Sequence, residues 1–307
     1  MILLCGIPSE PPLAMVGREL ERRRVPHVFF NQRRFADAEI EWELYGGSIG
    51  GSLTLEGERH RLEDVAAVYT RLMDDRLLPE LYREPAGSAA RGRCRSLHEA
   101  LLRWCEVSPA RVVNRAAPQG SNSSKPYQAQ LIAAHGFHVP DTLITNDPEL
   151  VLDFVRVHSS VVYKSISGVR SVVKLLSDDD LARLDRIRWC PVQFQAFVPG
   201  RNVRVHAVGG SAFATEIVSE ATDYRYAGMD GGGGAELRPS ELPDEVVQAC
   251  IELADDLGLA FAGIDLKLAP DGRVFCFEVN PSPAFSYFEA GAGQPIAAAV
   301  ARYLCGC

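Results

Sequence analysis

Residues 263–280 read Gly263-Ile264-Asp265-Leu266-Lys267-Leu268, then Ala269-Pro270-Asp271-Gly272, then Arg273-Val274-Phe275-Cys276-Phe277-Glu278-Val279-Asn280. Two apolar-rich arms around a Pro-Asp-Gly turn predict a β-hairpin. Successive strand residues point to opposite faces, so Ile264, Leu266 and Leu268 share one face and leave Asp265 and Lys267 on the other. On the return arm Phe275, Phe277 and Val279 share a face, with Glu278 and Asn280 opposite. The turn makes Asp265 and Glu278 cross-strand or diagonal neighbours, within roughly 8 Å. Two carboxylates and an amide oxygen then converge on one sheet face. Like charges raise each other's pKa, so the convergence is costly without a cation. Hard oxygen donors, with positions left for water and phosphates, are what Mg²⁺ requires, and the candidate ligands are Asp265, Glu278 and Asn280. The alternative is a solvated hairpin face carrying ordinary acidic residues.

Three upstream stretches bear on that choice. Lys164 closes the apolar run Val161-Val162-Tyr163 and opens Ser165-Ile166-Ser167-Gly168-Val169-Arg170-Ser171. A lysine at the mouth of a small-residue loop suits phosphate, with charge from the side chain and N–H donors from the loop. The Gly-x-x-x-x-Gly-Lys order of a Walker A loop is absent. Lys125 opens a helix, where an anion would meet free N–H groups; without that context it reads as a surface lysine. Gln193-Phe194-Gln195-Ala196-Phe197-Val198-Pro199-Gly200-Arg201-Asn202-Val203-Arg204 joins two strands through Pro-Gly and spaces polar and basic groups along an apolar stretch.

Outward from these, three units emerge. Residues 1–110 predict an α/β unit with strands at Met1–Cys5, Val25–Asn31, Ser52–Leu55 and Val65–Tyr69. A glycine-punctuated hairpin joins 41–51 to 52–58, and helices cover Leu13–Arg24 and Ser88–Cys105. Residues 111–192 predict helices over Ser124–His135 and from Asp147 to about His158, with strands at Thr142–Thr145, Val161–Lys164 and Ser171–Leu176. The third unit, 193–307, has strands at Val192–Val198, Asn202–Val208, Ala212–Ser219, Phe261–Leu268 and Val274–Val279, and helices over Asp244–Leu257 and Pro295–Tyr303. Asp223–Gly234 ends in consecutive glycines, which order at high entropic cost, and reads as a mobile loop.

At 307 residues the chain has room for two or three compact units. Its net charge of −8 gives no general attraction to nucleic acid or anionic membrane. No apolar stretch approaches the ~20 residues that span a bilayer, so a cytoplasmic protein is expected. The 8 cysteines show no Cys-x-x-Cys spacing and read as free or buried thiols. Cys305-Gly306-Cys307 reads as a frayed tail, with a metal chelate or strained disulfide as alternatives. No Ser, Cys or His triad spacing is visible; His206, two residues past Arg204 on the same strand face, is the one histidine singled out.

In this order and spacing, Asn122-Ser123-Ser124-Lys125, Val162-Tyr163-Lys164-Ser165, Phe197-Val198-Pro199-Gly200 and Phe277-Glu278-Val279-Asn280-Pro281 resemble the ATP-grasp superfamily. Within it the sequence looks most similar to the ribosomal-protein glutamate ligases and the microviridin-type (graspetide) peptide-cyclising ligases, from about Asn114 to Leu304. The resemblance implies an α/β (α+β) ATP-grasp fold, in which two mixed or antiparallel sheet subdomains grip ATP behind an N-terminal α/β domain. It implies Lys125 and Lys164 on the α- and β-phosphates, and Ser167 and Gly168 in a loop over the triphosphate. Gln195, Ala196, Phe197 and Val198 would form the hinge that holds adenine through its backbone. Asp265, Glu278 and Asn280 would bind two Mg²⁺ ions, and Arg204 would face the γ-phosphate and an acyl phosphate. The hinge often carries an acidic residue where Ala196 stands, so ribose contacts pass to Asn202 or another residue. Gly231–Gly234 is a candidate lid with Arg225 a candidate anchor for a substrate carboxylate; the alternative is a surface loop.

The activity so implied is ATP-dependent carboxylate–amine or carboxylate–hydroxyl ligation, releasing ADP, on an amino acid, a small metabolite or a peptide. A peptide macrocyclase would need a surface for a leader peptide. Arg91, Arg93 and Arg95 form a basic cluster that either meets an acidic leader or is an exposed helix face. A nucleotide-binding regulator without catalysis would be expected to lose metal ligands, which are present here. A kinase on the same fold would need no acceptor amine. Relatives often pair, so a homodimer is the default expectation.

Overall fold

The computed structural model describes residues 1–165, 173–219 and 235–307. Leu3, Leu4 and Cys5 are apolar without alternation, as suits a strand covered on both faces. They lie in β1 (Ile2–Gly6), followed by α1 (Pro11–Arg22), β2 (His27–Asn31), β3 (Ala38–Tyr45), β4 (Ser48–Leu55), β5 (Glu58–Arg61), β6 (Ala67–Thr70), α2 (Ala89–Val107) and β7 (Arg111–Val113). A parallel sheet runs β2-β1-β6-β7, and β3, β4 and β5 make a separate antiparallel sheet. Ile2 and Leu4 pack beneath α1, while Leu3 and Cys5 pack on the other face with Leu97, Leu101, Trp104 and Cys105 of α2. β7, read from sequence as opening the second unit, completes the first sheet. The hairpin turns at Gly46-Gly47; Gly50 and Gly51 lie inside β4, opposite Glu43 and Trp42.

The central elements are α3 (Lys125–Ala134), β8 (Thr142–Thr145), α4 (Pro148–Val157), β9 (Val161–Ser165), β10 (Lys174–Leu175), α5 (Asp178–Leu181) and β11 (Val192–Ala196). Their antiparallel sheet runs β10-β9-β11-β8. β11 therefore belongs here and not to the third unit. Asp147 caps α4 by accepting from the Glu149 N–H, with Pro148 in the first turn where a missing N–H costs little.

The last elements are β12 (Arg201–Val208), β13 (Ser211–Val218), β14 (Glu236–Pro239), α6 (Asp244–Asp256), β15 (Phe261–Leu268), β16 (Val274–Asn280), α7 (Ser286–Ala292) and α8 (Ile296–Cys305). An antiparallel sheet runs β14-β13-β12-β15-β16. Val203, Val205, Ile264 and Leu266 bury one face beneath α6. α8 returns to the first unit, where Val300 and Leu304 join Leu4, Leu13 and Tyr69 in one core. Gly200, at φ +138° and against the Leu268 backbone, is the turn that lets β12 run back beside β15. Among the described residues no helix is long and apolar enough to cross a membrane, and all eight cysteines are free.

Candidate active site

β15 and β16 pair with Asp265 directly opposite Glu278 and Gly263 opposite Asn280, as the alternation predicts. The register then slips, because Leu266 pairs with Cys276 and leaves Phe277 as an extra residue. This β-bulge overturns the expected apolar face of the second arm. Cys276 and Val279 enter the core with Leu266, whereas Phe275 packs with Val198 and Ala269 and Phe277 lines the cleft. The extra residue keeps Glu278 on the side of Asp265 while sealing Cys276 beneath α6.

One cleft gathers most of the candidates. Lys125, Lys164, Asp265 and Glu278 line it from α3, β9, β15 and β16. Gln195, Ala196, Phe197, Val198 and Asn202 line it from β11, the turn that follows and β12. The Lys125 ammonium contacts Glu278 Oε1 and donates to Asn122 Oδ1 at 3.0 Å. Arg204 Nη1 donates to Asp265 Oδ1 at 2.7 Å, with only 7% of its side chain exposed. Asn280 Oδ1 accepts from the Ser282 N–H at 2.9 Å. Ser167, Gly168, Arg225 and Gly231–Gly234 lie outside the described residues.

The donor set suits Mg²⁺. Asp265, Glu278 and Asn280 offer only oxygen, and each carboxylate already draws a cation, Arg204 on one and Lys125 on the other. Among the described residues no group of three or more His, Cys, Asp or Glu forms a rival metal site.

Lys267 carried no role in the sequence reading although its face was read correctly. Its ammonium lies 5.1 Å from the centre of the Phe197 ring, which lines the same cleft, and burial lowers its pKa. His206 is the one histidine that the sequence singles out, and its position argues against a direct role. Its ring is wholly buried beside Phe261 and Phe288, 5.0 Å from the latter, and neither nitrogen has a hydrogen-bond partner. Burial, then the nearby Arg204 charge, hold its pKa well below the usual value. The arginines near the start of α2 lie on an exposed helix face, with Arg93 and Arg95 exposed and Arg91 half-buried. Arg91 donates to the Glu84 and Leu81 carbonyls, Arg93 to those of Ala36 and Ala38, and Arg95 pairs with Asp75.

β16 is an edge strand, so the outer backbone groups of the strand that carries Glu278 and Asn280 need partners from elsewhere. His138 exchanges hydrogen bonds with Val274 and Cys276. Gln128 Nε2 donates to the Val279 carbonyl at 2.8 Å and its Oε1 accepts from the Val279 N–H at 3.0 Å. Asn114 Nδ2 donates to the carbonyls of Pro281 and Phe261, both at 2.6 Å, and its Oδ1 accepts from the Phe261 N–H. Arg71, paired with Glu10, donates to Ser282 Oγ at 3.3 Å and the Pro283 carbonyl at 3.1 Å. Side-chain amides thus do the work of a neighbouring strand at Val279 and Pro281.

The sequence profile of the RimK-like ATP-grasp domain matches residues 122–304. Human beta-citrylglutamate synthase B is 29% identical over 215 residues, which cover 66% of this chain and 55% of that protein. The chain thus spans about half the length of the curated relatives it matches first. Among solved structures, the ATP-grasp ligase PsnB complexed with minimal precursor, Mg and ADP is 28% identical at a TM-score of 0.80, covering 99% of this chain and 96% of that one. A RiPP-associated ATP-grasp ligase of Chryseobacterium gregarium, in complex with ADP and a leader and core peptide, matches at TM-score 0.83. It covers 99% of this chain and 96% of its own at 24% identity, a likeness of fold.

Proposed function

The chain belongs to the RimK-like ATP-grasp family, and from that membership we propose that it is an ATP- and Mg²⁺-dependent ligase acting through an acyl phosphate. The observation that carries the reading is the convergence of Lys125, Lys164, Asp265 and Glu278 on one cleft, with Arg204 bound to its acidic face.

The hinge Gln195–Val198 offers backbone groups to adenine, and Asn202 on the facing strand is placed for the ribose. Lys125 and Lys164 bring positive charge to the α- and β-phosphates. Asp265, Glu278 and Asn280 are the residues that would hold Mg²⁺, whose charge when bound neutralises the polyphosphate. A substrate carboxylate oxygen attacks the γ-phosphorus and ADP leaves. The acceptor amine or hydroxyl then attacks the acyl carbon, loses its proton, and phosphate leaves. Arg204 is anchored where charge develops on the transferred phosphoryl group, so its contribution is electrostatic and needs no reorganisation.

A peptide as carboxylate donor is favoured by one observation. PsnB, solved with its minimal precursor, resembles the chain at a TM-score of 0.80 and 28% identity, whereas D-alanyl-alanine synthetase A of Vibrio cholerae, over the same 99% of the chain, reaches 0.60 and 13%.

The test is ADP release with Mg²⁺ and ATP against a panel of free amino acids, small acids and acidic peptides, with hydroxylamine present. Carboxylate-dependent hydroxamate supports the ligase. A stable phosphorylated product without hydroxamate supports a kinase, and nucleotide binding without turnover on any donor supports a regulator.

A further inference from the structure

Gly263 lies within β15, where a glycine weakens a strand by adding backbone freedom and removing a side chain that packs. Its φ is outside the left-handed region, so the backbone itself would accept any residue. What excludes a side chain is Arg204. A Cβ built on Gly263 would stand 2.5 Å from the guanidinium carbon and 2.8 Å from Nε, with Nη2 nearer still.

Those contacts describe a slot. Arg204 starts on β12 opposite Asp265, and its head turns along β15 to lie over Gly263. Asp265 takes Nη1 at 2.7 Å, and the Phe288 ring of α7 stands 5.8 Å from the guanidinium carbon. Gly263 is itself paired with His206 on one side and Asn280 on the other. The missing side chain therefore lies midway between the core histidine and a metal ligand, at the place the guanidinium fills.

We propose that Gly263 is a positioning residue whose bare backbone sets where the Arg204 guanidinium meets the transferring phosphoryl group. The kinetic part of this rests on the ligase reading; the contact itself does not. A methyl at 263 must displace the guanidinium from its place beside Asp265 and Phe288. Misplacement by about 1 Å costs on the order of 100-fold in rate. The hinge and Lys164, on other strands, are left in place, so nucleotide affinity holds.

The experiment is a double-mutant cycle with wild type, Gly263→Ala, Arg204→Ala and the double variant. Three quantities are read in each: the thermal midpoint, the Kd of a fluorescent ADP analogue with Mg²⁺, and kcat for ADP formation. Gly263→Ala is expected to lower the midpoint beside Arg204 and to leave it unchanged once Arg204 is alanine. It is expected to reduce kcat on the order of 100-fold, with nucleotide Kd held, and to add no loss to Arg204→Ala. An equal drop of midpoint in both backgrounds places the clash elsewhere and overturns the proposal. So does an unchanged kcat in Gly263→Ala. If even wild type turns over no donor, the ligase reading falls, and the midpoint cycle alone still decides whether Gly263 acts through Arg204.

Discussion

Replacing Gln128 by leucine keeps the volume of the side chain and removes both of its hydrogen bonds to Val279. Val279 is 0% exposed and Gln128 1% exposed, so water cannot take over either backbone group. Each buried N–H or C=O left without a partner costs about 1–3 kcal/mol. Two such groups give roughly 2–6 kcal/mol, with local relaxation favouring the lower half. At about 2–4 °C per kcal/mol for a chain of this order of size, the thermal midpoint should fall by roughly 5–10 °C. The loss is also local. Val279 stands between Glu278 and Asn280, so loosening it spreads the oxygen donors and raises the Mg²⁺ concentration for half-maximal nucleotide binding. The assay is thermal unfolding together with a Mg²⁺ titration of fluorescent-nucleotide binding. A midpoint within a degree of wild type and an unchanged Mg²⁺ requirement would refute the claim that Gln128 holds this edge.

Asp265→Asn and Glu278→Gln keep size and hydrogen bonding while removing charge; each should cut Mg²⁺-dependent ADP formation by at least about 100-fold, read by a coupled assay. Arg71→Ala breaks a pair whose arginine side chain is 9% exposed and frees the chain after Asn280. It should cost about 2 kcal/mol, discounted for the partly exposed Glu10, and raise the Mg²⁺ requirement as Gln128→Leu does. His206 has a folded-state pKa well below its unfolded one, so the unfolded chain binds the extra proton first. Stability contributed by the neutral ring is therefore present above about pH 6.5 and lost as pH falls toward the folded pKa. His206→Leu should flatten the decline of thermal midpoint between about pH 6.5 and 5, and an identical slope in both proteins would count against a neutral buried ring.

The pairing of the two carboxylates was legible because strand alternation and a Pro-Asp-Gly turn leave few ways to arrange Asp265 and Glu278. Phe277 was misplaced because a bulge inserts one residue without a composition signal, and Cys276 is as apolar as its neighbours. β5, β14 and α7 are short and hold little periodicity. The amide clamps were beyond reach for another reason. Asn114 and Gln128 act on backbone 147 to 167 residues away, and contacts at that separation leave no spacing to read. Gly263 did leave a signal. A lone glycine inside a strand marks a close approach, here that of a buried arginine.

The most direct test of the central claim follows an oxygen atom. The donor carboxylate is labelled with oxygen-18, the ligation is run with Mg²⁺, ATP and acceptor, and the released phosphate is analysed by mass spectrometry. An acyl phosphate requires one labelled oxygen to leave with phosphorus, so phosphate carrying a single oxygen-18 per product is the expected result. Unlabelled phosphate alongside normal product formation would contradict the account, since the carboxylate would then have been activated by some other route.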